Sequence, residues 1–187
     1  MDAATRVLAA NPGATIGEIA TGVAISRASL HRLFATRAEL VQAIALRASE
    51  RVSAALEAAQ LDDGPAIQAI ARLTENVIPM VHQFAFLAAE GQAQHAQRFE
   101  QVHQEVDGRL LVLFRRGQAE GALRPELPAL WLVRAYGGLL YGLALGAQRG
   151  EVAPRDAARL MLDTFLRGAA VPGAGAQPAN SVSEVQR

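Results

Sequence analysis

The chain has 187 residues, a formal net charge of zero and no cysteine. That length suits one compact domain with a smaller one appended. The missing cysteine excludes a disulfide framework and a thiolate metal site, and the neutral balance excludes a protein that coats nucleic acid by bulk electrostatics. Charge is unevenly spread, however: residues 1–52 hold six Arg against four acids, and the remainder holds twelve Arg against fourteen. The N-terminal part is mildly basic. Met1-Asp2-Ala3-Ala4-Thr5-Arg6 lacks the basic and then apolar layout of a signal peptide, so a cytoplasmic location is expected.

Helical periodicity runs through almost every segment, which predicts an all-α fold. A first short helix spans about Asp2 to Ala10 and is stopped by Asn11-Pro12-Gly13. Thr15-Ile16-Gly17-Glu18 has the form of a capping box, so a second helix opens there, with Ile16, Ile19, Ala20 and Val23 on one face as far as Gly22 to Ala24. Ser26 caps a third helix on which Leu30, Leu33 and Phe34 are expected to face the core. Thr36-Arg37-Ala38-Glu39 opens a long fourth helix to about Gln60, and Leu61-Asp62-Asp63-Gly64-Pro65 breaks it at a hinge. Further helices are expected at Ala66 to Ala89 (kinked or broken at Pro79), Gln94 to Glu120, Glu126 to Arg149 and Pro154 to Gly168. From Ala169 onward the chain is rich in Ala, Gly, Pro, Ser and Gln without periodicity, and a disordered tail is expected.

Two short helices joined by a tight turn, the second presenting polar and cationic side chains, make a helix-turn-helix. With Leu30, Leu33 and Phe34 turned inward, Ala28, His31, Arg32 and Ala35 face outward and Arg27 and Ser29 flank them. Small residues let such a helix enter a major groove, Arg27 or Arg32 can donate to guanine or phosphate, and Ser29 and His31 can reach bases or backbone. Thr15, Ser26 and Arg37, at helix starts, suit phosphate positions. The same periodicity equally suits an ordinary helical hairpin with solvated arginines.

The run from Ile19 to Leu40 resembles the DNA-binding signature of the tetracycline-repressor (TetR) family. Ile19-Ala20, Ser26, Leu30, Phe34, Glu39 and Leu40 match it directly, and Arg37 stands where that family usually has Lys. Gly121-Ala122-Leu123-Arg124-Pro125, Gly142-Leu143-Ala144 and Phe165-Leu166-Arg167-Gly168 resemble the family's regulatory half. The resemblance covers about residues 6 to 168 and implies a DNA-binding dimer that is released by a ligand. Ala24 stands at a turn position where the family usually has Gly, and His31 replaces Tyr. The first helix lacks its N-terminal turns and the basic residues that often precede it, which implies either a late start or weakened DNA affinity.

The expected organisation is therefore a three-helix head at residues 1–50, a helical bundle for ligand sensing and dimerisation at 51–168, and a tail at 169–187. Gly138, Gly142 and Gly146 repeat at every fourth position of an apolar helix, permitting close helix approach; with Leu160 and Phe165 they are the expected dimer interface, an intrachain crossing being the alternative. Leu127 to Ala147 nears the length of a membrane span but holds Arg134 and starts beside Pro128, so it reads as a buried interface helix and no membrane partner is expected.

His82, Phe86, Phe99, His103, Trp131 and Tyr136 are the candidate lining of a mainly apolar effector pocket, though core packing serves the aromatics equally well. His82, His95 and His103 form no HExxH or i,i+4 pair, so no metal is expected. No nucleophile elbow, phosphate loop or dinucleotide fingerprint is present, so neither a cofactor nor an enzyme is expected. The expected partners are double-stranded DNA at a palindromic operator, a small effector and a second copy. The rival reading is a helical dimeric interaction protein whose helix-turn-helix no longer binds DNA.

Overall fold

A computed structural model of the chain describes residues 2–82, 86 and 96–172, with side chains described for 3–82, 86 and 104–172. Among the described residues the helices are α1 (Asp2–Ala10), α2 (Ile16–Gly22), α3 (Arg27–Leu33), α4 (Arg37–Ala58), α5 (Ala66–Val77), α6 (Ala96–Ala119), α7 (Ala129–Gln148) and α8 (Ala157–Ala169). Short 3-10 turns at Ile78–Met80 and Pro154–Asp156 join α5 and α8 to what precedes or follows them. The fold class is all-α, as the periodicity predicts.

Prolines set several helix boundaries. Pro79 has no N–H to continue the ladder, so α5 ends at Val77 and tightens into the 3-10 turn, the break at Pro79 that the sequence left open beside a kink. Pro128 sits in extended backbone at the N-cap of α7, which therefore starts at Ala129, three residues later than Glu126. Pro154 likewise opens a 3-10 turn, and α8 proper begins at Ala157.

Among the described residues most buried apolar side chains fall into two clusters, and α4 contributes to both. Ala4, Leu8, Ala14, Ile19, Ala20 and Leu30 pack with Leu40, Val41, Ile44 and Ala48 from the first half of α4. Val52, Ala55 and Leu56 from its second half pack with α5, α6, α7 and α8. The change of cluster lies between Ala48 and Val52. Beyond Ala58 the chain turns sharply through Gln60, whose φ is +46°. Arg72 of α5 holds that turn, donating from Nε to the Ala59 carbonyl at 3.0 Å and from Nη2 to those of Gln60 and Asp63 at 2.9 and 2.5 Å.

In the larger cluster Phe114, Tyr136 and Phe165 form an aromatic trio, with ring centroids 5.9, 5.3 and 5.3 Å apart. The buried Tyr136 hydroxyl lies 2.9 Å from the Thr74 hydroxyl, which donates to the Ile70 carbonyl at 2.8 Å. The Thr74 proton is thus committed, so Tyr136 is the donor in the first bond. Burial pushes the phenol above its ordinary pKa. The loop after α6 and the end of α8, two stretches that carry the sequence resemblance, meet here: the Arg124 amide donates to the Ala169 carbonyl at 2.8 Å and the Val171 amide to that of Ala122 at 3.1 Å.

This directionality makes the two deletions unequal. Tyr136→Phe leaves Thr74 bonded to Ile70 and is expected to cost about 1 kcal/mol, whereas Thr74→Val strands a buried phenol hydroxyl and should cost about 1–3 kcal/mol. Urea denaturation of both, with the double variant less destabilised than the sum, checks it.

Candidate nucleic-acid interface

Local hydrogen bonding builds the head. Thr15 caps α2 as a complete box: its Oγ1 accepts from the Glu18 amide at 3.2 Å, and the Glu18 carboxylate accepts from the Thr15 amide and hydroxyl, each at 2.7 Å. Those bonds, the backbone one first, hold the Glu18 carboxyl below its ordinary pKa. Their contribution is present above the ordinary glutamate range and is lost as pH falls through the lowered value.

The end of α2 is a Schellman motif, with the Ile25 amide donating to the Ala20 carbonyl at 3.0 Å and the Ala24 amide to that of Thr21 at 3.1 Å. That geometry puts Ala24 at φ +57°, where a β-carbon costs about 1–2 kcal/mol relative to glycine. At Gly22 an added β-carbon would collide with the Val7 side chain, so α1 and α2 approach closely there. Ser26 then caps α3, accepting from the Ser29 amide at 3.0 Å and donating to the Ser29 hydroxyl at 2.8 Å.

On α3, Leu30 is buried, Ser29 is half-buried, and Arg27, Ala28, His31 and Arg32 are exposed. Leu33 departs from expectation: it is 69% exposed and does not face the core. The helix ends at Leu33 and Phe34 swings into extended backbone at φ −137°, so the half-buried Phe34 ring, not Leu33, packs on the head cluster. Arg37 also differs. Its Nε donates to the Ala14 carbonyl at 2.9 Å and its Nη2 to the Pro12 carbonyl, so the side chain reaches into the α1–α2 turn. Of the expected contact residues, Arg27, Ala28, His31 and Arg32 share one open surface, while the Thr15, Ser26 and Ser29 hydroxyls are engaged in caps.

Of the expected effector lining, the described side chains are not brought together. Phe86 is fully buried, but in the head cluster with Leu8, Leu40 and Ile44, because the chain returns from α5 toward the head. Tyr136 is a core residue bonded to Thr74. Trp131 is 60% exposed on α7. His82 is half-buried beyond the 3-10 turn, and the side chains of Phe99 and His103, like His95 and residues 173–187, lie outside the described residues. A described open cleft of about 490 Å³ is lined by Glu57, Gln60, Leu61, Asp62, Asp63 and Arg109, none of them expected.

The expected dimer residues divide. Gly138 and Gly142 are exposed, and among the described residues a β-carbon on either meets nothing within 4 Å. Leu130, Trp131, Tyr141 and Leu160 are large exposed apolar residues on the same two helices, α7 and α8. Gly146 instead packs on Val152, and Phe165 is buried in the aromatic trio, because four-residue spacing drifts around a helix and α8 turns Phe165 toward α6. Arg134 of α7 pairs with Asp107 of α6 at 2.5 Å, which accounts for a cation within so apolar a helix.

No protein-family model matches the chain. It is 28% identical over 170 residues to the HTH-type transcriptional regulator NfxB of Pseudomonas aeruginosa, covering 86% of this chain and 87% of NfxB. It is 28% identical over 140 residues to the HTH-type transcriptional repressor LfrR of Mycolicibacterium smegmatis, covering 75% of this chain and 72% of LfrR. Among solved structures, the TetR-like regulator LfrR in complex with proflavine superposes with a TM-score of 0.71 at 23% identity, covering 89% of this chain and 92% of that one. The ketosteroid regulator KstR2 of Mycobacterium tuberculosis gives 0.69 at 16%, covering 91% and 92%. The chain thus has relatives among HTH-type regulators and the fold of TetR-like regulators, an N-terminal helix-turn-helix domain followed by a helical C-terminal domain.

The orientation of α3 makes its two leucines unequal. Leu33→Ala is expected to leave stability within about 0.5 kcal/mol, whereas Leu30→Ala should cost about 2–5 kcal/mol. Chemical denaturation of the two variants measures the difference, and equal losses would mean α3 is rotated from the position described.

Proposed function

We propose that the chain is a sequence-specific DNA-binding transcriptional regulator, a homodimeric repressor that leaves a palindromic operator when it binds a small, mainly apolar effector. The observation that carries this reading is the capped reading helix α3, with Arg27, Ala28, His31 and Arg32 exposed together. Small and cationic residues on one side of a short helix suit a major groove and its phosphate walls. Kinship with NfxB and LfrR supports the regulatory role, and the proflavine complex of LfrR supports a small-molecule effector.

Residues 1–50 then form the reading head, and residues 51–168 the sensing and dimerising body, acting in the cytoplasm where the operator is. The dimer forms through the open side of α7 and α8, where Leu130, Trp131, Tyr141 and Leu160 are exposed around Gly138 and Gly142. Side chains of this size suit burial in a four-helix seam between two copies.

DNA selected from a random duplex library should contain two related half-sites about one helical turn or more apart, bound more weakly as salt rises. Arg27→Ala and Arg32→Ala should each weaken binding about tenfold or more with unchanged thermal melting, since both side chains are exposed. Failure to enrich any duplex, or salt-insensitive binding, would replace this reading with a protein interaction module.

Gly142→Leu tests the dimer separately. A β-carbon there meets nothing within 4 Å among the described residues, so the substitution should leave the protomer folded while sedimentation shows a shift toward monomer. A variant that stays fully dimeric moves the interface elsewhere.

A further inference from the structure

The geometry points to Arg37 as a positioning residue of the reading head: a guanidinium latch that ties the α1–α2 turn to the first turn of α4. Its two described bonds are made to backbone carbonyls rather than left for phosphate. This inference rests on the DNA-binding reading for its functional consequence but not for the latch itself.

Three observations build it. Arg37 is the first residue of α4, directly after the cap in which Thr36 Oγ1 accepts from the Glu39 amide at 3.1 Å and the Glu39 carboxylate accepts from the Ala35 amide at 3.0 Å. Its Cα position is thereby fixed. From there the guanidinium crosses to a segment more than twenty residues earlier and donates from Nε to Ala14 and from Nη2 to Pro12. Finally, the turn satisfies its amides internally, the Ala14 amide donating to the Asn11 carbonyl at 3.0 Å and the Gly13 amide to Asn11 Oδ1 at 3.1 Å. The Pro12 and Ala14 carbonyls receive their donors from Arg37.

The residue after Ala14 is Thr15, the N-cap of α2. Fixing Ala14 therefore fixes where α2 starts, and α2 sets the entry to α3 through the Schellman turn. A planar guanidinium supplies two donors in a rigid fork, whereas a lysine ammonium on its flexible stem cannot hold both carbonyls in that geometry. Arginine is specifically required by a latch and is not specifically required by a single phosphate contact.

The test compares full-length protein with Arg37→Lys and Arg37→Ala by two measurements. Hydrogen exchange at the Gly13 and Ala14 amides should accelerate about tenfold or more in both variants, while amides of α5 to α8 keep their rates. On the duplex enriched from a random library, both variants should lose about tenfold in affinity at every salt concentration, with the slope of log affinity against log salt unchanged. The opposite pattern overturns the latch: Arg37→Lys binding as tightly as the unmodified protein, with the Arg37→Ala slope shallower by about one per protomer, as loss of a phosphate contact gives. Unchanged exchange at Gly13 and Ala14 also overturns it. If the unmodified protein enriches no duplex, the DNA reading fails on its own, and the exchange measurement still decides the latch. Should Arg37→Ala not fold, Arg37→Lys alone gives both readouts.

Discussion

Everything in this molecule is referred to one helix. The 22 residues of α4 form a rod of about 33 Å at 1.5 Å per residue, and its two halves are buried in different clusters, Leu40 to Ala48 in the head and Val52 to Leu56 in the body. A helix is stiff over this length, so a displacement at one end is not absorbed by local bending without a proline, a glycine pair or a bulge, and α4 has no Pro or Gly. Arginine forks hold the turns around both ends: Arg37 grips the α1–α2 turn and Arg72 the Ala59–Asp63 turn. Phe86, buried in the head cluster from the chain beyond α5, gives the body a second hold on the head. On the regulatory reading, an effector acts only by preferring one position of this rod to another.

What the sequence made legible was local. Capping patterns at Thr15, Ser26 and Thr36 place three helix starts to the residue, because a cap is decided by side chains within three positions of the end. The left-handed conformation of Ala24 was signalled only by the family resemblance, which puts Ala where Gly is usual. The helix starts near Pro128 and Pro154 were placed about three residues early, and at Pro79 kink and break both stayed open, because a wheel cannot say whether a proline bends a helix or ends it.

The misjudged side chains are those whose environment is set from far along the chain. Leu33 turns to solvent because the helix stops there, while Phe34 packs on the head cluster as expected; periodicity assumes that the helix continues. Phe86 shares its stretch with sensor helices yet packs against Leu8 and Ile44, about forty or more residues away. Arg37 has the composition of a phosphate ligand, and only the position of two carbonyls from the preceding turn shows what its guanidinium touches. Of the glycine row, Gly138 and Gly142 remain open while Gly146 is covered by the following loop. A four-residue repeat on a 3.6-residue helix cannot hold one direction over two steps.

The neutral net charge and the open side of α7 and α8 belong to one constraint. On the DNA-binding reading, a chain with no net excess of cations gains little long-range attraction to DNA, and affinity would come from where individual charges stand. With the Arg37 fork committed to Pro12 and Ala14, the cations on the reading helix are Arg27 and Arg32. A single head with so few of them contacts too few phosphates and bases to be selective. Two-fold pairing would double both counts and make the second head's encounter with its half-site intramolecular, raising effective concentration without any new contact. The exposed Leu130, Trp131, Tyr141 and Leu160, unfavourable to leave in water on a lone protomer, are what the pairing would bury. On the proposed dimer, weak heads and an apolar seam are complementary: pairing would supply through symmetry the affinity that the sparse head charge does not.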